Sequence, residues 1–387
     1  MPAELPTELV ALTDEQRAVR DLCRDFARDV LRPAAREVDE ADVEVPVAIW
    51  NKAAEVGITS FMLPAEYGGG FTDVFTQCIA QEELTYGDIA IGNFVTSNGF
   101  YADPILELGT EEQKQRLLTP LCADVPPFTA LATTEPESGS DAASIQTRAV
   151  RDGDAYRITG RKTWISNGGI ADSYVVFATV DPGKRTRGIT AFIVPADAAG
   201  LSTGEPFRKM GQRAIRNTEV VLDDVLVPAD NRLGEEGQGF TGLMRTFDIS
   251  RVILGAAVTG LAQAAFDTAV EYAQQRHQFG KPIIEHQAVG FRLADVATRI
   301  EASRLLTWRA ARRLDAGLDT SKEAAMAKLY ASETAMFATW AAVQTLGGWG
   351  YSREFLVEKW MRDAKLEEIE EGTSDIQRLI ISRRLVK

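Results

Sequence analysis

Residues 241–275 constrain this chain most. The stretch has few helix breakers and carries small residues at Gly255, Ala256, Ala257, Gly260, Ala264 and Ala265. Small side chains let neighbouring helix backbones approach closely, so the segment predicts a tightly packed helical bundle. Its most apolar run, Val252 to Phe266, is interrupted by Thr259 and Gln263. That run is too short and too polar to be read as a membrane span. Helical spacing continues over about 285–314, 322–346 and 353–371, and a short last helix is expected from Ser374.

The preceding zones have other periods. Residues 13–120 read as helices, opened by Leu12 and a Thr13-x-x-Gln16 capping box. Val19, Leu22, Phe26 and Val30 recur at helical spacing, and Pro33, Pro46, Pro64 and Gly68 to Gly70 punctuate the zone. From about Phe128 the pattern turns to strands. Residues 147–151 and 155–159 flank Asp152-Gly153-Asp154 and predict a hairpin. Tyr174–Val180, Gly188–Val194 and Glu219–Val227 are further strand-length runs. The expected fold is therefore α+β and multidomain. A helical domain spans 1–124, a β-barrel-like domain 125–236, and a four-helix bundle 237–387.

Composition narrows the function classes. The 387 residues are 45% hydrophobic and 25% charged, with a formal net charge of −14. That balance suits a globular enzyme and repels nucleic acid. Cys23, Cys78 and Cys122 are odd in number and widely spaced, which suits reduced, mostly buried thiols. The N-terminus lacks the basic and apolar regions of a signal peptide. A cytoplasmic location and no membrane partner are expected.

The chain contains no nucleophile elbow, no P-loop and no GxGxxG after a strand. Its two histidines, His277 and His286, are too few for a multi-histidine metal site. A carboxylate is then the best candidate for proton transfer. Thr133 to Asp141 concentrates hydroxyls and a glycine, as a ligand loop or an ordinary surface turn does. Trp164-Ile165-Ser166-Asn167-Gly168-Gly169 sets an aromatic face beside a hydroxyl; Trp164 suits either a flat ligand ring or the β-domain core. Gln344 to Gly348 allows close backbone approach to a ligand or caps a helix. Arg276 to Lys281 puts two cations near a helix end, where the dipole favours them. In Glu368 to Arg383, Gly372 is suited to end a helix, and Ser374-x-x-Gln377 reads as the capping box of the next. Glu370 and Glu371 thus stand at a helix C-terminus, where negative charge is disfavoured. If buried, such a carboxylate has a raised pKa, as a base working near neutral pH requires.

These segments occur together and in a fixed order: TTEPESGSD, WISNGG, RHQFGK, EHQ, QTLGG and EGTSDIQR. As a set they resemble the acyl-CoA dehydrogenase family of FAD-dependent flavoproteins, over about residues 13–385. The resemblance implies oxidation of the Cα–Cβ bond of an acyl-CoA thioester. Glu371, directly before Gly-Thr, matches the base that removes the α-proton while the flavin takes the β-hydride. Leu131, Thr133, Thr134, Gly139, Ser140, Trp164 and Ser166 match residues that contact FAD in their own subunit. Thr373 and Asp375 match its adenosine–pyrophosphate side. Arg276, Gln278, Phe279, His286, Gln287, Gln344, Gly347 and Gly348 match residues that reach the FAD of a neighbouring subunit. The resemblance therefore implies a homodimer or homotetramer. Phe247, Asp248 and Arg251 match the CoA-binding positions, with Ser140 and Gly372 near the thioester arm. An electron-transferring flavoprotein is the implied electron acceptor.

Two positions depart from the family pattern. Some members carry the base at the position occupied here by Ser250, which cannot serve, and this reinforces Glu371. The residue before the base is commonly aromatic but is Glu370 here, expected to point to solvent. Turned inward, it would raise the pKa of the base and disfavour a plain fatty acyl tail. Thr96 and Asn98 are expected at the pocket floor, which favours a short, branched, cyclic or functionalised acyl group. The alternatives are a carrier-protein thioester, a flavin oxidase or monooxygenase on the same scaffold, and a non-enzymatic scaffold protein.

Overall fold

The computed structural model describes residues 11–42 and 44–386. The start of the N-terminal stretch read for a signal peptide lies outside the described residues. Seven helices open the chain: α1 (Asp14–Phe26), α2 (Arg32–Ala41), α3 (Val47–Glu55), α4 (Val74–Gly87), α5 (Ile89–Val95), α6 (Asn98–Leu108) and α7 (Glu111–Leu118). The expected capping box starts α1: the Gln16 N–H donates to Thr13 Oγ1 at 3.2 Å, and the Thr13 N–H donates to Gln16 Oε1 at 3.1 Å. The buried stripe is Cys23, Phe26, Ala27 and Leu31, while Leu22 is 45% exposed. A π-helical turn at Ala27–Leu31 rotates the apolar face, so Leu31 is buried in place of Val30.

The middle zone is one eight-stranded sheet: β1 (Thr129–Ala132), β2 (Arg148–Asp152), β3 (Ala155–Ser166), β4 (Ser173–Thr179), β5 (Ile189–Pro195), β6 (Leu201–Thr203), β7 (Asn217–Pro228) and β8 (Arg232–Leu233). Its order is β6-β7-β3-β2-β4-β5-β8, with β1 pairing in parallel with β4. The β2–β3 hairpin pairs Asp152 with Ala155 across Gly153, whose φ is +60°. Strands β4 and β5 read as continuous apolar runs because both faces are covered. Val176, Ala178, Phe192 and Val194 pack within the sheet's own core. Val175, Phe177, Ile189 and Ile193 pack against Tyr101 and Ile105 of α6.

The remaining elements are α8 (Gly239–Gln275), the two-residue strands β9 (His277–Gln278) and β10 (Lys281–Pro282), α9 (Gln287–Asp315), α10 (Ser321–Leu346), α11 (Gly348–Tyr351), α12 (Val357–Glu367) and α13 (Ser374–Arg383). Among the described residues α8 alone is long and apolar enough to cross a membrane, and 78% of that window is buried inside the protein. Its small residues act as expected. A Cβ on Gly260 would lie 2.2 Å from the Glu82 carbonyl oxygen of α4, and one on Gly255 2.8 Å from Thr307 Oγ1 of α9. Alanines of α8 and α10, among them Ala257, Ala264, Ala335 and Ala342, share one core. The expected helix over 353–371 is shorter at both ends, Val357–Glu367, and beyond its C-terminal end Glu371 (φ +52°) and Gly372 (φ +93°) are left-handed.

The Gly260→Ala substitution tests this packing. It pushes α8 off a backbone carbonyl that cannot move aside, so it should cost about 2–3 kcal/mol. Thermal unfolding should show a midpoint several degrees lower.

Candidate active site

The site is built on the turn that joins α12 to α13. A left-handed glutamate is uncommon and must be held by its surroundings. Here the two carbonyls of the turn take four side-chain hydrogen bonds. Arg251 Nε and Gln377 Nε2 both donate to Glu371 O at 3.1 Å. Gln377 Nε2 also donates to Gly372 O at 2.8 Å, and Lys328 Nζ does so at 3.1 Å. Gln377 therefore braces the turn and closes no capping box. The N-cap of α13 is Thr373, one residue earlier than expected, and its hydroxyl accepts from the Ile376 N–H at 3.3 Å. The Glu371 N–H donates to no acceptor among the described residues.

The Glu371 side chain faces a cavity of about 220 Å³ between the N-terminal helices, the sheet and α8. Ser250 Oγ, on α8, donates to Glu371 Oε2 at 2.5 Å. Burial pushes the Glu371 carboxyl up to about 7, and the neighbouring Glu370 charge adds to the shift. The Ser250 hydrogen bond, Arg251 and Lys328 oppose it.

The opposite wall carries Leu131, Thr133, Thr134, Trp164 and Ser166, five of the residues expected at a flavin. Buried Lys162 fixes it, donating to Thr133 O at 3.0 Å and Glu135 Oε1 at 2.8 Å. Glu135 in turn accepts from the Gln146 and Thr147 N–H groups at 2.5 and 2.9 Å. The β3–β7 register shifts between Lys162 and Ile165, and within that bulge Trp164 has φ +60°. Its ring is 57% exposed and packs 4.5 Å from that of Phe207, so Trp164 is not β-domain core. Thr133 Oγ1 and Asn167 Oδ1 are buried on this wall without a hydrogen-bond partner. Such orphans call for a ligand with a polar edge. A flavin ring, flat and edged with donors and acceptors, fits that wall.

The other expected residues lie outside the cavity except Phe247, which lines it. Asp248 and Arg251 sit behind it on α8, with Arg251 buried, its Nη1 3.4 Å from Asp248 Oδ1 and its guanidinium 5.4 Å from the Phe247 ring. Gly139 and Ser140 are exposed on their loop, Thr373 is half-buried and Asp375 exposed. Arg276, Gln278, Phe279, His286, Gln287, Gln344, Gly347 and Gly348 lie on the bundle's outer face, at the β9–β10 hairpin and the α10–α11 junction. The Phe279 ring is 94% exposed.

Two expectations about the floor are corrected. Thr96 lines the cavity, but Asn98 is turned away. Its Oδ1 accepts from Thr129 Oγ1 at 2.6 Å, and its Nδ2 donates to Pro127 O at 3.0 Å. Glu370 does not point to solvent. It lines the cavity, because the left-handed turn brings both acids to the same side of the chain. Asp103 was missed altogether. It lines the cavity from α6, and burial, together with the Glu371 charge, lifts it to about 7. The available signal was one acid among the buried Tyr101, Ala102, Pro104 and Ile105.

Known proteins share this fold. The chain matches family models for the acyl-CoA dehydrogenase N-terminal domain over 13–124, middle domain over 130–225 and C-terminal domain over 237–386. The chain belongs to the acyl-CoA dehydrogenase family. An acyl-CoA dehydrogenase of Bacillus subtilis is 42% identical, covering 97% of this chain and 99% of that one. The mitochondrial short-chain specific acyl-CoA dehydrogenase of Bos taurus is 41% identical, covering 98% and 92%. The structure of butyryl-CoA dehydrogenase from Megasphaera elsdenii superposes with a TM-score of 0.93 at 40% identity, covering 97% and 99%. As a member of this FAD-dependent family, the chain is an oxidoreductase that dehydrogenates acyl-CoA.

For an acyl-CoA dehydrogenase with its base at Glu371, the pH profile follows from these shifts. A base works only when deprotonated, so the rate of anaerobic flavin reduction should rise with pH through about 7. Ser250→Ala removes a bond that lowers the pKa, and should move that limb to higher pH. Glu370→Gln removes a repelling charge, and should move it to lower pH.

Proposed function

We propose that this protein removes the α-proton of a short or functionalised acyl-CoA with Glu371, in an α,β-dehydrogenation. The observation that carries the reading is a half-buried carboxyl, pushed by its surroundings up to about 7 and facing a wall suited to a flavin. FAD, held by Leu131, Thr133, Thr134, Gly139, Ser140, Trp164 and Ser166, supplies the hydride acceptor. Ser250 aims the Glu371 carboxylate. Arg251, Lys328 and Gln377 hold the turn so that its free N–H and its carboxylate face one substrate. That N–H is the donor for the thioester oxygen as negative charge develops on it. Phe247, Asp248, Arg251 and Gly372 bind the CoA arm. A 220 Å³ cavity shared with a flavin ring leaves little room for a long chain.

The working form is a homodimer or homotetramer. An aromatic side chain 94% exposed at a tight turn, as Phe279 is, marks a surface that a second copy covers. Arg276, Gln278, Phe279, His286, Gln287, Gln344, Gly347 and Gly348 complete the FAD site of that copy, and Thr373 and Asp375 serve the adenosine–pyrophosphate side. The division into 1–124, 125–236 and 237–387, a cytoplasmic location and an electron-transferring flavoprotein as acceptor belong to the same reading.

Two variants test it. Glu371→Gln should retain FAD and lose flavin bleaching by thioester about 10²–10⁴-fold in rate; full bleaching would remove the base. Arg276→Ala should loosen flavin and oligomer together, read from absorbance and from size-exclusion chromatography with light scattering. Normal flavin content in a normal oligomer would contradict the shared site.

A further inference from the structure

A hydrogen-bond chain that the reaction does not use runs from the cavity wall at Gln81 and Asn93 into the protein behind it. Gln81 Nε2 donates to Asn93 Oδ1 at 2.9 Å, and Asn93 Nδ2 donates to Gln212 Oε1 at 3.5 Å. Gln212 Nε2 donates to Glu367 Oε1. Glu367 is fully buried, its carboxyl adjoins that of Glu370, and its Oε2 has no hydrogen-bond partner among the described residues. Two carboxyls can bond only if one holds a proton. Burial raises both carboxyls above the usual range, and Glu367, beside the Glu370 charge, well above it; the contact with Glu367 and the charges of Lys328 and Lys209 oppose the rise at Glu370. Glu367 is therefore the carboxyl of the two that holds a proton more firmly, and Glu370 the one that presents acceptor oxygens to the cavity. Every donor in the chain points the same way, and the chain ends on Glu367, whose neighbour Glu370 lines the cavity.

A carboxylate has about four acceptor positions, of which a protonated Glu367 can fill at most one. The nearby ammonium groups are engaged elsewhere. Lys328 donates to Gly372 O, and Lys209 donates to Gln212 O, Ile215 O and Asn217 Oδ1. Neither forms an ion pair with Glu370 among the described residues. A plain alkyl tail seated here would strip water from Glu370 and give nothing in return, which costs free energy. A tail with its own N–H or O–H would replace that water.

We infer that Glu370 selects acyl thioesters whose tail ends in a hydrogen-bond donor, an ammonium or a hydroxyl, in place of a methyl. The inference rests on the dehydrogenase reading of the cavity and names its substrate class. Ammonium and hydroxyl share the donor chemistry, and the test separates them.

The test is equilibrium binding by calorimetry to the FAD-loaded Glu371→Gln protein, which blocks turnover. The probes are isosteric CoA thioesters in two lengths: butyryl, 3-hydroxypropionyl and 3-aminopropionyl, and heptanoyl, 6-hydroxyhexanoyl and 6-aminohexanoyl. At one length or both, the donor-bearing members should bind roughly ten-fold or more tightly than the alkyl member, the scale of a hydrogen bond to a charged group. Glu370→Phe in the same background should reverse the order. Glu370→Gln, which keeps an acceptor oxygen without charge, should keep the hydroxyl preference and lose any ammonium preference. Retained flavin and an unchanged melting midpoint show that both variants fold. Equal or tighter alkyl binding at both lengths overturns the inference, as does a preference that survives Glu370→Phe. The enzyme with Glu371 intact reports separately. If the preferred thioester binds but bleaches no flavin, the dehydrogenase reading fails and the selectivity stands.

Discussion

The turn at Glu371 and Gly372 is the constraint on which the rest depends. A glutamate with φ +52° has no intrinsic preference for that conformation, and its carbonyls would be orphaned without partners. Arg251 from α8, Lys328 from α10 and Gln377 from α13 converge on those two carbonyls. The turn is therefore fixed by the C-terminal bundle. The bundle in turn owes its closeness to small residues on α8, where Gly260 touches the backbone of α4. A packing requirement spread along α8 thereby positions a single carboxylate.

That position sets the electrostatics. Glu367, Glu370, Glu371 and Asp103 gather around one cavity, with Lys328, Arg251 and Lys209 near them. Burial raises the acids, which therefore hold protons that isolated carboxyls would release, and lowers Lys328, which gives up its proton more readily than a free lysine. The consequence for stability has a definite sign. Carboxyls raised in the folded state favour folding below their unfolded pKa, and that contribution is lost as pH rises through about 7. The protein thus gives up stability to keep a base poised in its working range.

Much of this was legible in the sequence. The three zones, the β2–β3 hairpin, the capping box of α1 and the small-residue face of α8 all follow from local period and turn chemistry. Glu371 stood out because a glycine and a helix start flank it. Reading failed where direction depends on a bulge or a left-handed residue. Glu370 was expected in solvent because acids are usually exposed, and the turn that faces it inward is invisible to periodicity. Trp164 was ambiguous because a strand pattern does not reveal a bulge. Asn98 and Thr96 are close in sequence, yet only one faces the cavity, since Asn98 is held by Thr129 and Pro127. Asp103 and the chain from Gln81 to Glu367 join residues far apart in sequence, which no local signal connects.

The account stands on the ionisation of one side chain. It is tested most directly by a ¹³C NMR titration of the FAD-loaded protein labelled at the glutamate side-chain carboxyl, with Glu371 assigned by difference from Glu371→Gln. The account predicts a resonance that titrates near 7. A Glu371 resonance that titrates in the ordinary carboxylate range, about 4.3 for glutamate, would contradict it.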